Sequence, residues 1–221
     1  MPSSIEDWGR SDEYHNSFLM PKDEVLDGVL KYNAEQGLPD IAAAKAQAKL
    51  LNLLAKSICA KNILEVGTLG GYSAIWLARA LPDDGKLVTL EISPHFAKVA
   101  QDNVNAAGVQ DKVDILLGSA AESLAKLNPE VPFDLVFIDA DKASNALYFT
   151  EAKRLVRKNG VIIVDNVVWF GHVARPEYSN QHIDGIRKLL NAIKDDDEVE
   201  ATTISTVGEK GYDGFLYAIK K

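Results

Sequence analysis

The chain has 221 residues, of which 47% are hydrophobic and 25% charged, proportions that exclude collagen-like, fibrous and disordered classes. Its 24 basic and 32 acidic residues leave a net charge of −8. That is the wrong sign for affinity gained by releasing counterions from phosphates, so nucleic acid is not an expected partner. No apolar run approaches the ~20 residues of a membrane helix. The acid-rich start, with Glu6, Asp7, Asp12, Glu13, Asp23 and Glu24 against Arg10 and Lys22, resembles neither a secretory signal nor a transit peptide. A cytoplasmic protein is expected. The single cysteine, Cys59, lies in an apolar helical stretch and is expected to be a packed core residue rather than a reactive thiol.

No internal repeat or low-complexity linker interrupts the chain, and strand-like and helix-like runs alternate, which predicts a parallel sheet with helices on both faces. The first ~60 residues read as helices. Pro21 suits a first helical turn, Val25, Leu26, Val29 and Leu30 line one face, and Gly37 with Pro39 closes the segment. A second helix is expected from about Ile41 to Ala60. These helices would cover the sheet or reach over a site as a lid. The first strand is expected at Ile63–Val66, followed by the turn Gly67-Thr68-Leu69-Gly70-Gly71 and a helix near Tyr72–Leu81. Leu87–Ile92 is the second strand, and Ser93-Pro94 opens a helix that ends at Gly108. Val113–Leu117 is the third, leading to Ser119-Ala120-Ala121-Glu122, whose S-x-x-E spacing reads as a capping box. Phe133–Ile138 is the fourth strand. A helix over about Ser144–Arg157 is expected to stop at Gly160, before a fifth strand at Val161–Val164 and a helix over Gln181–Lys194. Val199–Thr206 and Phe215–Ile219, joined by Val207–Gly214, have no helix between them and read as an antiparallel hairpin. The expected architecture is one α/β domain over residues 1–221: residues 1–60 form a helical cover, and residues 61–221 form a Rossmann-like, mostly parallel seven-stranded sheet finished by that hairpin. In such sheets ligands bind at the carboxyl ends of the strands.

Those ends carry the chemistry. The glycines of the turn after the first strand let backbone approach a ligand without a Cβ in the way. Glu91, at the end of the second strand, is placed to accept both ribose hydroxyls of an adenosine. A tight turn followed by an ordinary surface acid is the alternative. A dinucleotide site would want G-x-G-x-x-G with pyrophosphate on the helix amides, whereas here the spacing is G-x-x-G-G and Glu65 stands just upstream. That carboxylate would repel a pyrophosphate and suit the ammonium and sulfonium of S-adenosylmethionine. Strand four ends in Ile138-Asp139-Ala140-Asp141-Lys142 and strand five in Val164-Asp165-Asn166. Oxygen donors with no histidine or cysteine nearby select a hard cation, Mg²⁺ with Mn²⁺ or Ca²⁺ as alternatives, and the candidate ligands are Asp139, Asp165 and Asn166. Alternatively, Asp139 or Asp141 caps the following helix and Asp165-Asn166 turns the chain.

On these residues the chain resembles the cation-dependent O-methyltransferases that include the catechol and caffeoyl-coenzyme A O-methyltransferases. The matching runs are Leu64-Glu65-Val66-Gly67-Thr68-Leu69-Gly70-Gly71-Tyr72-Ser73, Leu90-Glu91-Ile92, Phe137-Ile138-Asp139-Ala140-Asp141-Lys142 and Asp165-Asn166-Val167-Val168-Trp169. The resemblance implies a homodimer, S-adenosylmethionine as donor, and metal-assisted methylation of one of two vicinal phenolic hydroxyls. It implies cofactor contacts from Glu65, Gly67, Thr68, Ser73, Glu91, Ala120 and Asp139, metal ligation by Asp139, Asp165 and Asn166, and Lys142 at the acceptor oxygen, with Asp139 and Lys142 as the catalytic pair. Ser119 stands where many relatives have aspartate, and Phe170 precedes Gly171 where a smaller residue is common. Trp169 is the expected wall of the acceptor pocket, and Phe170, His172, Tyr178, Tyr14 and Phe18 are further aromatic candidates, each of which would equally serve packing. His172 is expected in a solvent-exposed loop, and His15, His95 and His182 show no ligand spacing. The acceptor class is a small vicinal dihydroxy aromatic: a catechol, a flavonoid or a caffeoyl-type compound. The alternatives are a non-catalytic S-adenosylmethionine-binding protein and a nicotinamide-dependent oxidoreductase on the same fold.

Overall fold

The computed structural model describes residues 3–221. In chain order the elements are α1 (Ile5–Leu19), α2 (Glu24–Glu35), α3 (Lys45–Ser57), β1 (Asn62–Val66), α4 (Tyr72–Ala78), β2 (Lys86–Glu91), α5 (Pro94–Ala106) and β3 (Val113–Leu117). They continue with α6 (Ala120–Lys126), β4 (Phe133–Ile138), α7 (Asn145–Leu155), β5 (Val156–Val164), α8 (Gln181–Lys194), β6 (Val199–Gly208) and β7 (Gly211–Lys220). The seven strands run in the order β3-β2-β1-β4-β5-β7-β6, so the expected seven-stranded sheet with its C-terminal antiparallel hairpin holds. Two compact units divide the chain: Lys22–Leu135, and Val136–Lys221 together with the segment ending at Pro21.

In the first unit β1 pairs β2 in parallel with Ile63 opposite Leu87, and β2 pairs β3 in parallel with Leu87 opposite Val113. Strands buried on both faces favour apolar side chains, and Ile63, Leu64, Val66, Leu87 and Leu90 are all buried, with Glu65, Thr89 and Glu91 as buried polar exceptions. Asp23 fixes the entry to α2. One of its carboxylate oxygens accepts from the Leu26 amide at 3.1 Å, and the other pairs with the Arg79 guanidinium just beyond α4. Burial pushes this carboxyl up, but the Arg79 and Leu26 hydrogen bonds outweigh it and hold Asp23 below its ordinary value. A depressed carboxyl contributes stability above its unfolded pKa of about 3.9 and loses it as pH falls through the folded value. Asp23→Ala is therefore expected to cost about 1 kcal/mol at pH 7, a gap that closes below about pH 4, as urea unfolding at pH 7 and pH 3 will check.

In the second unit β7 pairs antiparallel with both β5 and β6, from Val199 opposite Lys220 to Gly208 opposite Gly211. The hairpin turn is thus only Glu209-Lys210, tighter than the expected connection over Val207–Gly214. The Asp12 carboxylate of α1 takes the Glu209 amide at 2.9 Å and ties that helix to the hairpin. The antiparallel pairing buries Leu216 and Ala218.

Several local expectations give way. Cys59 is exposed rather than packed. Helix α3 ends in a Schellman turn: Cys59 adopts φ 52° and its amide donates to Lys56, while the Ala60 amide reaches back to Ala55. Cys59 thereby takes the left-handed position that usually belongs to glycine, and α3 stops before it. Val25 is exposed, off the buried face of α2 that carries Leu26 and Val29. Ser119 makes no side-chain cap bond, so the S-x-x-E spacing forms no capping box; the Ser119 carbonyl accepts from Ser123 instead. Gly160 lies inside β5 rather than ending a helix. Among the described residues no helix is long and apolar enough to cross a membrane.

Candidate active site

In the unit Lys22–Leu135, the loop between β1 and α4 is held from three sides. The Gly67 amide donates to the Leu90 carbonyl at 3.0 Å, and the Gly71 amide closes the turn onto Thr68 at 2.9 Å. Glu91, almost fully buried, accepts from the Leu69 amide with one oxygen at 2.8 Å and from the Ser93 amide with the other at 2.9 Å. This acid therefore joins the glycine turn to the end of β2, a role invisible in its spacing. Each carboxylate oxygen can accept more than one hydrogen bond, so capacity remains for a ribose hydroxyl. The third support is polar and buried: the Asn103 amide donates to both the Asn33 side chain and the Gly70 carbonyl at 2.8 Å. Gly70 has to be glycine here, since a Cβ would stand 2.1 Å from the Asn33 oxygen.

Glu65 is completely buried in β1, and one of its oxygens accepts from the Thr89 hydroxyl at 2.7 Å. Thr89 has a single hydroxyl proton, so the Thr68 hydroxyl, 2.6 Å away, donates to Thr89 in turn. This Glu65–Thr89–Thr68 relay fixes the carboxylate's orientation. Thr89 was not signalled by any motif, because only strand register brings it opposite Glu65. Ser73 lies half-buried in the first turn of α4, and Ala120 begins α6.

In the other unit the ends of β4 and β5 are adjacent: the Asp165 amide donates to the Ile138 carbonyl at 2.9 Å. Register thus brings Asp139 and Asp165, each one residue beyond a bonded strand end or at it, to the same end of this strand pair. Asp139 pairs with Lys142 Nζ at 2.6 Å, and the lysine is buried, its side chain only 7% exposed. Lys142 stays there because the 3₁₀ turn Lys142–Ser144 is braced by Asp141, which accepts from the Ser144 amide at 3.1 Å and from the Tyr148 hydroxyl. Asp141 is thus the capping acid. Burial and the Asp141 hydrogen bond push the Tyr148 phenol up to about 12. The same turn packs against α8 at Gly185.

Asn166 has φ 56°, and Trp169 and Phe170 have φ 51° and 57°. Left-handed backbone at bulky residues is strained and persists only where its surroundings impose it. Here Asp213 of β7 does so, accepting the Val168, Trp169 and Gly214 amides on one oxygen and the Asn166 side-chain amide on the other. Downstream, the Arg187 guanidinium donates to the carbonyls of Val173, Arg175 and Tyr178. Trp169 stacks on His182 at 5.2 Å, and His172 stacks on Tyr178 at 3.9 Å, half-buried rather than in an exposed loop. Tyr14 and Phe18 are exposed on α1 and contact each other. Asp213, Arg187 and His182 were missed by sequence reasoning, since they reach this loop from other elements, with separations of 9 to 47 residues.

Among the described residues no group of three His, Cys, Asp or Glu could hold a metal ion. The candidate set instead has two carboxylates and one amide, all oxygen donors, with a lysine ammonium already drawn to one of the carboxylates. That chemistry fits a hard divalent cation and not a soft one.

A profile of the O-methyltransferase family matches residues 16–220. The chain is 42% identical over 212 residues to the catechol O-methyltransferase of Niastella koreensis, covering 95% of this chain and 96% of that one. Among solved structures, the O-methyltransferase from Bacillus cereus in complex with SAH aligns with a TM-score of 0.96 and 44% identity over 99% of this chain and 100% of that one. The O-methyltransferase TomG from Streptomyces achromogenes, in complex with SAM, aligns with a TM-score of 0.95 and 43% identity, covering 100% of both chains.

Proposed function

Since this chain belongs to the O-methyltransferase family and is an S-adenosylmethionine-dependent enzyme, we propose that it methylates one hydroxyl of a small vicinal dihydroxy aromatic in a metal-dependent reaction. Family membership sets aside the oxidoreductase and non-catalytic readings. The observation that carries the metal-dependent reading is the oxygen-donor set at the ends of β4 and β5 with a buried lysine paired to Asp139. The catechol O-methyltransferase relative supports the acceptor class.

In this reading Glu65, Gly67, Thr68, Ser73, Glu91, Ala120 and Asp139 hold the methyl donor. Glu65 faces its positive charge, the glycine turn admits it without side-chain obstruction, and Glu91 takes the ribose. Asp139, Asp165 and Asn166 would hold the divalent cation, Mg²⁺ in the first instance. When bound, such a cation lowers the pKa of a coordinated hydroxyl. Lys142 Nζ, once it has released its own proton to solvent, would accept the phenolic proton, or as the ammonium would steer the acceptor oxygen while that proton passes to solvent, as the oxygen–methyl bond forms and the sulfur–methyl bond breaks. The donor carries its own leaving group, so the residues contribute chiefly positioning and charge stabilisation. Trp169 walls the flat acceptor. The two units act as one methyltransferase domain in the cytoplasm, and the assembly is a homodimer. The exposed Tyr14, Phe18 and Leu19 on α1 offer apolar surface that a second copy would cover.

The test is methyl transfer from labelled S-adenosylmethionine to vicinal diols and their mono-hydroxy analogues, with Mg²⁺ and with chelator. Labelling confined to the diols and abolished by chelator is the expected result; chelator-insensitive labelling of mono-hydroxy compounds would overturn it. Glu91→Gln replaces one acceptor with a donor, which faces the Leu69 or the Ser93 amide. Loss of a charged hydrogen bond of about 1.5–3 kcal/mol should raise the Kd for S-adenosylmethionine by roughly ten- to hundredfold, as calorimetry will read.

A further inference from the structure

The Asn166 side chain has two chemically different ends, and only its oxygen can ligate a hard cation. Which end faces which way is decided by its neighbour. Asp213 Oδ2 stands 3.1 Å from Asn166 Nδ2, and an ionised carboxylate can only accept. The amide nitrogen must therefore sit on Asp213, and Oδ1 is the atom left to ligate. Asp213 cannot swing away to relax this constraint. Its other oxygen accepts three backbone amides, from Val168 at 3.2 Å, Trp169 at 2.8 Å and Gly214 at 2.9 Å. The same three bonds hold the loop that carries Asn166 in its left-handed conformation.

We infer that Asp213 is a positioning residue that orients the Asn166 amide, oxygen outward, and so sets the affinity of the Asp139, Asp165 and Asn166 set for a divalent cation. This rests on the metal-dependent reading above. Partners that orient a ligand typically govern metal affinity by 10–100-fold.

The experiment is Mn²⁺ binding by calorimetry and electron paramagnetic resonance, without substrate or methyl donor. Asp213→Asn keeps an oxygen for the three backbone amides but presents an NH₂ group to Asn166. The Asn166 amide then turns its oxygen to residue 213 and its nitrogen outward, and Mn²⁺ affinity is expected to fall at least tenfold while the melting temperature without metal changes little. The double variant Asp213→Asn with Asn166→Asp supplies an acceptor to residue 213 and a second oxygen to the cation, and is expected to bind Mn²⁺ at least as tightly as the wild type. A role confined to holding the loop would not produce that rescue. Wild-type binding of Mn²⁺ with no loss in Asp213→Asn, or a double variant as weak as the single one, overturns the inference alone. A wild type that binds no Mn²⁺ at millimolar concentration overturns the metal-dependent reading and this inference with it. If Asp213→Asn does not fold, the double variant decides: folded and binding supports the inference, anything else refutes it.

Discussion

On the proposed metal-dependent reading, Asp139→Asn is expected to lower kcat/KM for a vicinal diol on the order of a thousandfold, because a carboxylate proposed to hold the cation, and so to help supply several kcal/mol of charge stabilisation, is replaced by a neutral amide. Asparagine is the informative substitution. It keeps the shape of the side chain and an acceptor for Lys142 Nζ, which sits 2.6 Å from Asp139. Asp139→Ala removes that acceptor as well and leaves a buried ammonium without its partner, a loss of about 3–5 kcal/mol. The alanine variant should therefore melt lower and lose activity, whereas the asparagine variant should lose activity and Mn²⁺ affinity with a smaller change in melting. Steady-state kinetics, Mn²⁺ titration and thermal unfolding of both proteins separate the two effects. A folded Asp139→Asn protein with normal turnover and normal Mn²⁺ binding would remove Asp139 from the metal set.

Gly185→Ala carries the second large effect, and its sign is a contest between two terms. Alanine is the better helix former by about 1 kcal/mol, and Gly185 lies inside α8. Opposing this, a Cβ there would stand 2.2 Å from the Lys142 carbonyl oxygen and 2.6 Å from the Ala143 Cα. Both are backbone atoms of the turn that carries Lys142, so no flexible side-chain end can yield. Overpacking against rigid neighbours costs about 1–3 kcal/mol and sometimes more, and here the whole helix must move. A net loss of about 2 kcal/mol or more is expected. A displacement of 1 Å at a reacting group costs about a hundredfold in rate, so kcat should fall roughly a hundredfold even below the melting transition, with KM for the methyl donor little changed. Urea unfolding and kinetics at low temperature will check both. A stabilised, fully active Gly185→Ala protein would show that helix propensity wins and that the turn is not held by α8.

The sheet and the acids that end its strands were legible in the sequence for a local reason. Strand runs such as Phe133–Ile138 and Val113–Leu117 are apolar except for Asp134 and Asp114 and are closed by turn residues, and both strands have those bounds in the structure. Helix α8 was equally legible and has the expected bounds, Gln181–Lys194, and the structure adds that Asn180 caps its start. The acids at strand ends, Glu65, Glu91, Asp139 and Asp165, announced themselves because their positions next to glycine turns or following strands are properties of a few consecutive residues.

What the sequence did not reveal depends on partners far away along the chain. Cys59 looked like a core residue because its neighbours are apolar, yet the end of α3 turns it outward at φ 52°. Ser119-Ala-Ala-Glu122 has the spacing of a capping box but leaves the serine side chain unbonded to its helix. Asp213 sits in a strand 47 residues from Asn166 and shows no motif, yet four hydrogen bonds converge on it. Glu91 reads as a ribose acceptor and is also the acid that joins the glycine turn to the second strand. The sequence by itself determined which residues are apolar, where helices and strands can start and stop, and therefore the fold class and the acids that end its strands, since periodicity and capping act over a few residues. Only the tertiary structure decided which buried polar atoms meet, because a carboxylate or amide takes its orientation from whichever hydrogen-bond partner the strand register places within reach of it, and register is a property of the whole sheet.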